Sequence, residues 1–176
     1  MDILISSNLE RMLFEISGRE AAQVNEWMES LKKEGRYEVK GQALDVLKAL
    51  IWGGWAGDQA VSETIGQTWN RLGYLTDPHT AVALNVHRQY VEATGDERPA
   101  VIMSTASPFK FGKTVLEALE GDVQTQDDFE CCRLLSQKTG WALPKAIGEL
   151  PGKPVRHRAE CEPADMMDAV KRAMEE

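Results

Sequence analysis

Three short stretches place hydroxyls, an arginine, a histidine and a proline where one backbone element gives way to another. They are Ser6-Ser7-Asn8-Leu9-Glu10-Arg11, Asp77-Pro78-His79-Thr80 and Ser104-Thr105-Ala106-Ser107-Pro108. Junctions of this kind carry binding groups more often than element interiors do. In the first, a strand running into a helix would present free backbone N–H groups, which suit a phosphate or carboxylate. Arg11, one turn in, could add a planar bidentate contact. Simple N-capping beside a surface arginine is the plainer explanation of Ser7, Asn8 and Arg11 from spacing alone. In the second stretch, His79 falls in the first helical turn, where the helix dipole favours the neutral imidazole. It could orient a ligand or move a proton, or serve only in packing. Thr80 shares that ambiguity, because first-turn threonines commonly bond back to the chain. In the third, hydroxyls follow the apolar run 100–103, at the end of a strand where open α/β sheets hold ligands. A hydroxyl in such a place suits a neutral pyridine nitrogen, to which it donates without imposing charge. Lys110 follows on a turn, but nothing singles it out as the desolvated lysine a Schiff base requires.

The elements that must hold these residues are mostly helices. Residues 3–5 are an apolar, β-branched run and read as a buried strand. A helix follows with Asn8 as N-cap and Leu9, Met12, Leu13 and Ile16 on one face, ending at Gly18. A second covers about 19–33, burying Val24, Trp27, Met28 and Leu31, with Gly35 as its stop. A third is marked by Leu44, Leu47, Leu50 and Ile51. After a glycine-rich break at Gly53-Gly54, Asp58 caps a fourth that buries Val61, Ile65, Trp69 and Leu72. Asp77 at N-cap and Pro78 at N1 open a fifth, running to about residue 93. Residues 100–103 read as a central strand, and helices follow near 113–119, 125–138 and 163–175. Between the last two, 143–158 carries three prolines and reads as loop with one edge strand. Two or three short strands among so many helices describe an α/β protein whose strands lack enough neighbours within this chain.

Composition narrows the function classes. The chain has 176 residues and a formal net charge of -8. It can bury a core of its own, and it offers no basic stripe for nucleic acid. No apolar run approaches the roughly 20 residues of a membrane span, and Met1-Asp2-Ile3 lacks the basic start of a signal peptide. Three cysteines, Cys131, Cys132 and Cys161, make a poor disulfide framework and fit a reducing cytoplasm. The scattered His79, His87 and His157 offer no metal-ligand spacing.

Taken jointly, residues 1–11, Gly73-Tyr74-Leu75-Thr76-Asp77-Pro78-His79-Thr80-Ala81-Val82 and Ser104-Thr105-Ala106-Ser107-Pro108-Phe109-Lys110-Phe111 resemble threonine synthase of the longer bacterial and fungal type. The likeness runs in register over essentially the whole chain. It implies the helix-rich carboxy-terminal part of a tryptophan-synthase-β-like enzyme (pyridoxal-phosphate fold type II). It further implies conversion of O-phosphohomoserine and water to threonine and phosphate with pyridoxal phosphate. By the resemblance, Thr105 faces the cofactor's pyridine nitrogen, and Ser7, Asn8 and Arg11 lie near the active-site cleft. His79 and Thr80 line or buttress that cleft. The family's Schiff-base lysine and glycine-rich phosphate loop belong to its amino-terminal part, which this chain lacks. No catalytic residue and no metal ligand is therefore expected within residues 1–176. The chain alone is expected to be inactive, with the amino-terminal half as its partner. A non-catalytic helical binding or regulatory module derived from that fold is the competing expectation.

Overall fold

The computed structural model describes residues 5–156 and 158–175. The expected strand at 3–5 lies outside them except for Ile5, which sits exposed in a bend, and His157 lies outside them as well. The chain divides into two compact units, Met1–Ala56 with Val86–Pro99, and Gly57–Asn85 with Ala100–Glu176.

In the first unit, α1 (Ser7–Ile16), α2 (Ala21–Glu34) and α3 (Gly41–Leu50) pack around Leu13, Val24 and Trp27. Phe14, Met28, Tyr37 and Val39 close the edges of that core. The cap of α1 is Ser6 rather than Asn8. Ser6 is extended, and its hydroxyl accepts from the Leu9 amide at 3.3 Å. Asn8 is already inside the helix, and its side-chain oxygen accepts from the Arg11 guanidinium. Gly35 stops α2 with φ +72, a left-handed backbone that costs glycine little. Lys32 and Lys33 in the last turn favour the negative end of the helix dipole.

The second unit is built on α4 (Asp58–Leu72), α6 (Gly112–Glu120) and α7 (Asp128–Thr139). Ile65, Val115, Leu116, Cys131 and Leu135 fill the space between them. Gly66 lets α4 approach α6 closely, since a Cβ there would lie 3.0 Å from the Ala118 carbonyl oxygen. Contrary to the sequence expectation, Leu72 is 74% exposed, while Thr64 and Thr68 are buried. Their hydroxyls donate to the carbonyls of Ala60 and Thr64, each at 2.7 Å. A threonine so satisfied enters a helical core without an unpaired polar atom. The long helix α5 (Pro78–Thr94) begins in this unit, and its residues from Val86 on belong to the first.

No strand forms among the described residues, which corrects the expectation of strands at 100–103 and within 143–158. Residues 100–103 are irregular, with Val101 85% and Met103 70% exposed. An apolar β-branched run specifies burial, but a strand also needs a hydrogen-bonding neighbour. No described segment pairs with this one. The edge strand expected within 143–158 is replaced by a single turn, α8 (Lys145–Gly148), and a 3₁₀ turn at Leu150–Gly152. Pro144 and Pro151 open these turns, where a missing N–H costs nothing. The last element, α9 (Met166–Glu175), follows a 3₁₀ turn at Pro163–Asp165.

Candidate functional site

The second unit gathers His79, Thr80 and the 104–107 loop around one buried carboxylate. Asp77 is completely buried ahead of α5. Its Oδ1 accepts from the backbone N–H of His79 at 2.9 Å and of Thr80 at 3.3 Å. Its Oδ2 accepts from the Thr80 hydroxyl. These are the donors a helix start leaves unpaired, and the dipole favours a negative charge there. Pro78 follows, so no N–H is lost at the first position. Thr80 is buried, and its Oγ1 lies 3.3 Å from the Ser104 hydroxyl.

Beyond Ser104 the loop is exposed at Thr105 and Ser107. Ser107 then anchors a 3₁₀ turn at Pro108–Phe111, where its Oγ accepts from the Phe109 amide at 3.3 Å. Its carbonyl accepts from the Lys110 amide at 3.0 Å. The turn is held from below by Cys132, whose thiol donates to the Phe109 carbonyl at 3.0 Å. Burial is the main cause pushing the Cys132 thiol above its ordinary range. His79 is half-buried, its ring meeting Phe111 edge-on at 5.3 Å. Lys110 is exposed, with Nζ 5.7 Å from the Phe111 ring centre. The hydroxyl of Thr76, the residue before Asp77, is buried with no hydrogen-bond partner among the described residues.

In the first unit, Ser7, Asn8 and Arg11 occupy the opening turns of α1, all exposed. Ser7 and Arg11 line an open cleft of about 720 Å³ against Ala21, Val24 and Asn25 of α2. Glu10 and Glu15 also line it, so its charge is mixed rather than uniformly positive.

Thus His79, Thr80 and the loop of Thr105 come together in one unit, while Ser7, Asn8 and Arg11 share one end of α1 in the other. The sequence reading gave Asp77 only a capping role and did not link Thr80 to Ser104. The two hydroxyls are 24 residues apart, and no periodicity joins them. The one local signal was a threonine three residues after an aspartate cap.

Comparison with known proteins follows the same residues. The family model described as threonine synthase, C-terminal matches residues 80–174, more than half of the chain. Threonine synthase of Pseudomonas aeruginosa is 34% identical over 118 residues, covering 67% of this chain and 25% of that protein. The crystal structure of PLP-bound threonine synthase from Brucella melitensis superposes with a TM-score of 0.63 at 32% identity. That match covers 88% of this chain and 29% of the other. Yeast threonine synthase gives a TM-score of 0.66 at 27% identity, covering 100% of this chain and 35% of that one. The chain therefore spans between a quarter and about a third of the length of these relatives. It belongs to the family of threonine synthase carboxy-terminal domains.

Proposed function

We propose that this chain is the carboxy-terminal segment of a threonine synthase and forms one wall of its active site. The reaction is conversion of O-phosphohomoserine and water to threonine and phosphate, with pyridoxal phosphate as cofactor. The lysine that would bind the cofactor covalently, and the loop that would cradle its phosphate, lie in an amino-terminal part outside residues 1–176. The setting is the cytoplasm, which suits the free Cys131, Cys132 and Cys161.

The observation that carries this reading is the likeness to a PLP-bound threonine synthase, together with a family match over residues 80–174 that takes in the hydroxyl loop. The residues present fit the ring-nitrogen end of such a cofactor. Thr105 is exposed on a loop fastened on both sides, by Ser104 to Thr80 and by Ser107 to the following turn. When bound, the cofactor supplies an electron sink for carbanion chemistry. Thr105 would donate a hydrogen bond to its pyridine nitrogen and leave that nitrogen uncharged, where a carboxylate would draw a proton onto it. Ser7, Asn8 and Arg11 would line the cleft, with the Arg11 guanidinium held by Asn8 and suited to a phosphate or carboxylate. His79 and Thr80 would buttress the loop from the start of α5.

The test is a chimera in which this chain replaces the matching carboxy-terminal part of the Pseudomonas aeruginosa enzyme. Release of phosphate together with threonine from O-phosphohomoserine is expected, and Thr105→Val should lower kcat. A folded, PLP-loaded chimera that releases neither product would sink the proposal.

A further inference from the structure

We infer that Asp77, Thr80 and Ser104 form a positioning chain that sets the loop of Thr105 from inside the second unit. The inference rests on the reading that Thr105 meets the cofactor's ring nitrogen.

Asp77 is wholly buried, and among the described residues no cation pairs with it. Its oxygens accept from two backbone N–H groups and the Thr80 hydroxyl at the start of a 17-residue helix. A threonine hydroxyl has one proton and two acceptor sites. That proton is committed to the carboxylate, the strongest acceptor within reach. Thr80 Oγ1 is then left as an acceptor, and the Ser104 hydroxyl 3.3 Å away must donate to it. The chain of donors therefore runs in one direction, from Ser104 to Thr80 to Asp77. Its direction is set by a buried carboxyl group that accepts from three donors.

The loop needs such a tether. Ser104, Thr105 and Ser107 are exposed and Ala106 is half-buried, so apolar packing does not hold these residues. Polar anchors hold them instead: Ser104 on one side, and Ser107 on the other through its own turn. Thr105 is adjacent to the first anchor and two residues from the second. A hydroxyl that must meet a ring nitrogen in a fixed geometry gains from having its neighbour tied to a rigid helix start. Asp77, Thr80 and Ser104 are thus positioning residues that act through Thr105.

¹⁵N backbone relaxation of the labelled full chain tests this. Thr80→Val keeps the shape and removes the hydroxyl. It should lower the order parameters of residues 105–107 into the flexible range, below about 0.6, while those of α6 stay unchanged, and Thr80→Ser should restore the loop. Ser104→Ala changes an exposed residue, leaves the Asp77 cap intact, and should loosen the same amides to a similar degree. If Ser104→Ala leaves residues 105–107 unchanged, or if Thr80→Val loosens α4, α6 and the loop alike, the inference is overturned. This readout uses no cofactor. A failure of the Thr105 reading alone would show instead as a chimera whose cofactor ring nitrogen is indifferent to Thr105→Val.

Discussion

Gly112→Ala probes the packing on which the loop rests. Gly112 is buried at the first position of α6 with φ -50 and ψ -46, a backbone that alanine adopts freely. Space alone decides the outcome. A Cβ at this position would lie 2.5 Å from Cys132 Sγ, 3.2 Å from the Cys132 backbone nitrogen and 3.4 Å from its Cα. The first contact must be relieved, either by turning the thiol or by moving α7. Turning it breaks the 3.0 Å bond from the thiol to the Phe109 carbonyl, which steadies the 3₁₀ turn beneath the site. Overpacking of this kind costs about 1–3 kcal/mol. Helix propensity returns at most about 1 kcal/mol for Gly to Ala, and less at a first position. A net loss of about 1–2 kcal/mol is expected from urea unfolding. Cys132→Ala removes the clashing sulfur, so in that background Gly112→Ala should cost less, with a coupling energy of about 1 kcal/mol. A Gly112→Ala chain as stable as the parent, or equal costs in both backgrounds, would refute the reasoning.

Other outcomes follow from the same geometry. Asp77→Ala removes the cap and strands the buried Thr80 hydroxyl, so it should destabilise by about 2–4 kcal/mol in urea unfolding. Asp77→Asn keeps an acceptor for the two amides and should cost less; equal losses would mean the capping bonds contribute nothing. Cys161 is exposed whereas Cys131 and Cys132 are buried, and burial raises both of their thiols. A thiol reagent should therefore modify one group in the native chain and three in denaturant. The Arg98 guanidinium, and next the Tyr90 hydroxyl, hold the Asp96 carboxyl well below the usual carboxylate range. Because that value is depressed on folding, its stabilising effect is present above the unfolded value of about 4 and fades as pH falls below it. Arg98→Ala should raise the midpoint of the Asp96 carboxyl titration followed by NMR, and an unmoved midpoint would contradict the pairing.

The helices were legible because their signals are local. Gly35 stops α2 where the apolar stripe ends, and Asp77-Pro78 opens α5. The N-cap of α1 was misplaced by two residues because Ser6, Ser7 and Asn8 are all good caps. The choice fell to the backbone, which leaves Ser6 extended and frees Asn8 to hold Arg11. Leu72, expected inside, is exposed, while Thr68 is buried because its hydroxyl is satisfied by a carbonyl of its own helix. Residues 100–103 carry the composition of a strand, yet pairing is a property of two segments and one segment's sequence does not contain it. The three motif blocks were visible as types and order. The bond from Ser104 to Thr80 was not, because it depends on how α5 and the loop pack in three dimensions.

Thr105 is the proposed partner of the cofactor's ring nitrogen. The most direct test of that pairing is the ¹⁵N chemical shift of ring-labelled pyridoxal phosphate in the chimera. A shift typical of an unprotonated, hydrogen-bonded nitrogen is predicted, moving toward the free-base value in Thr105→Val. A protonated nitrogen, or a shift indifferent to that substitution, would contradict the account.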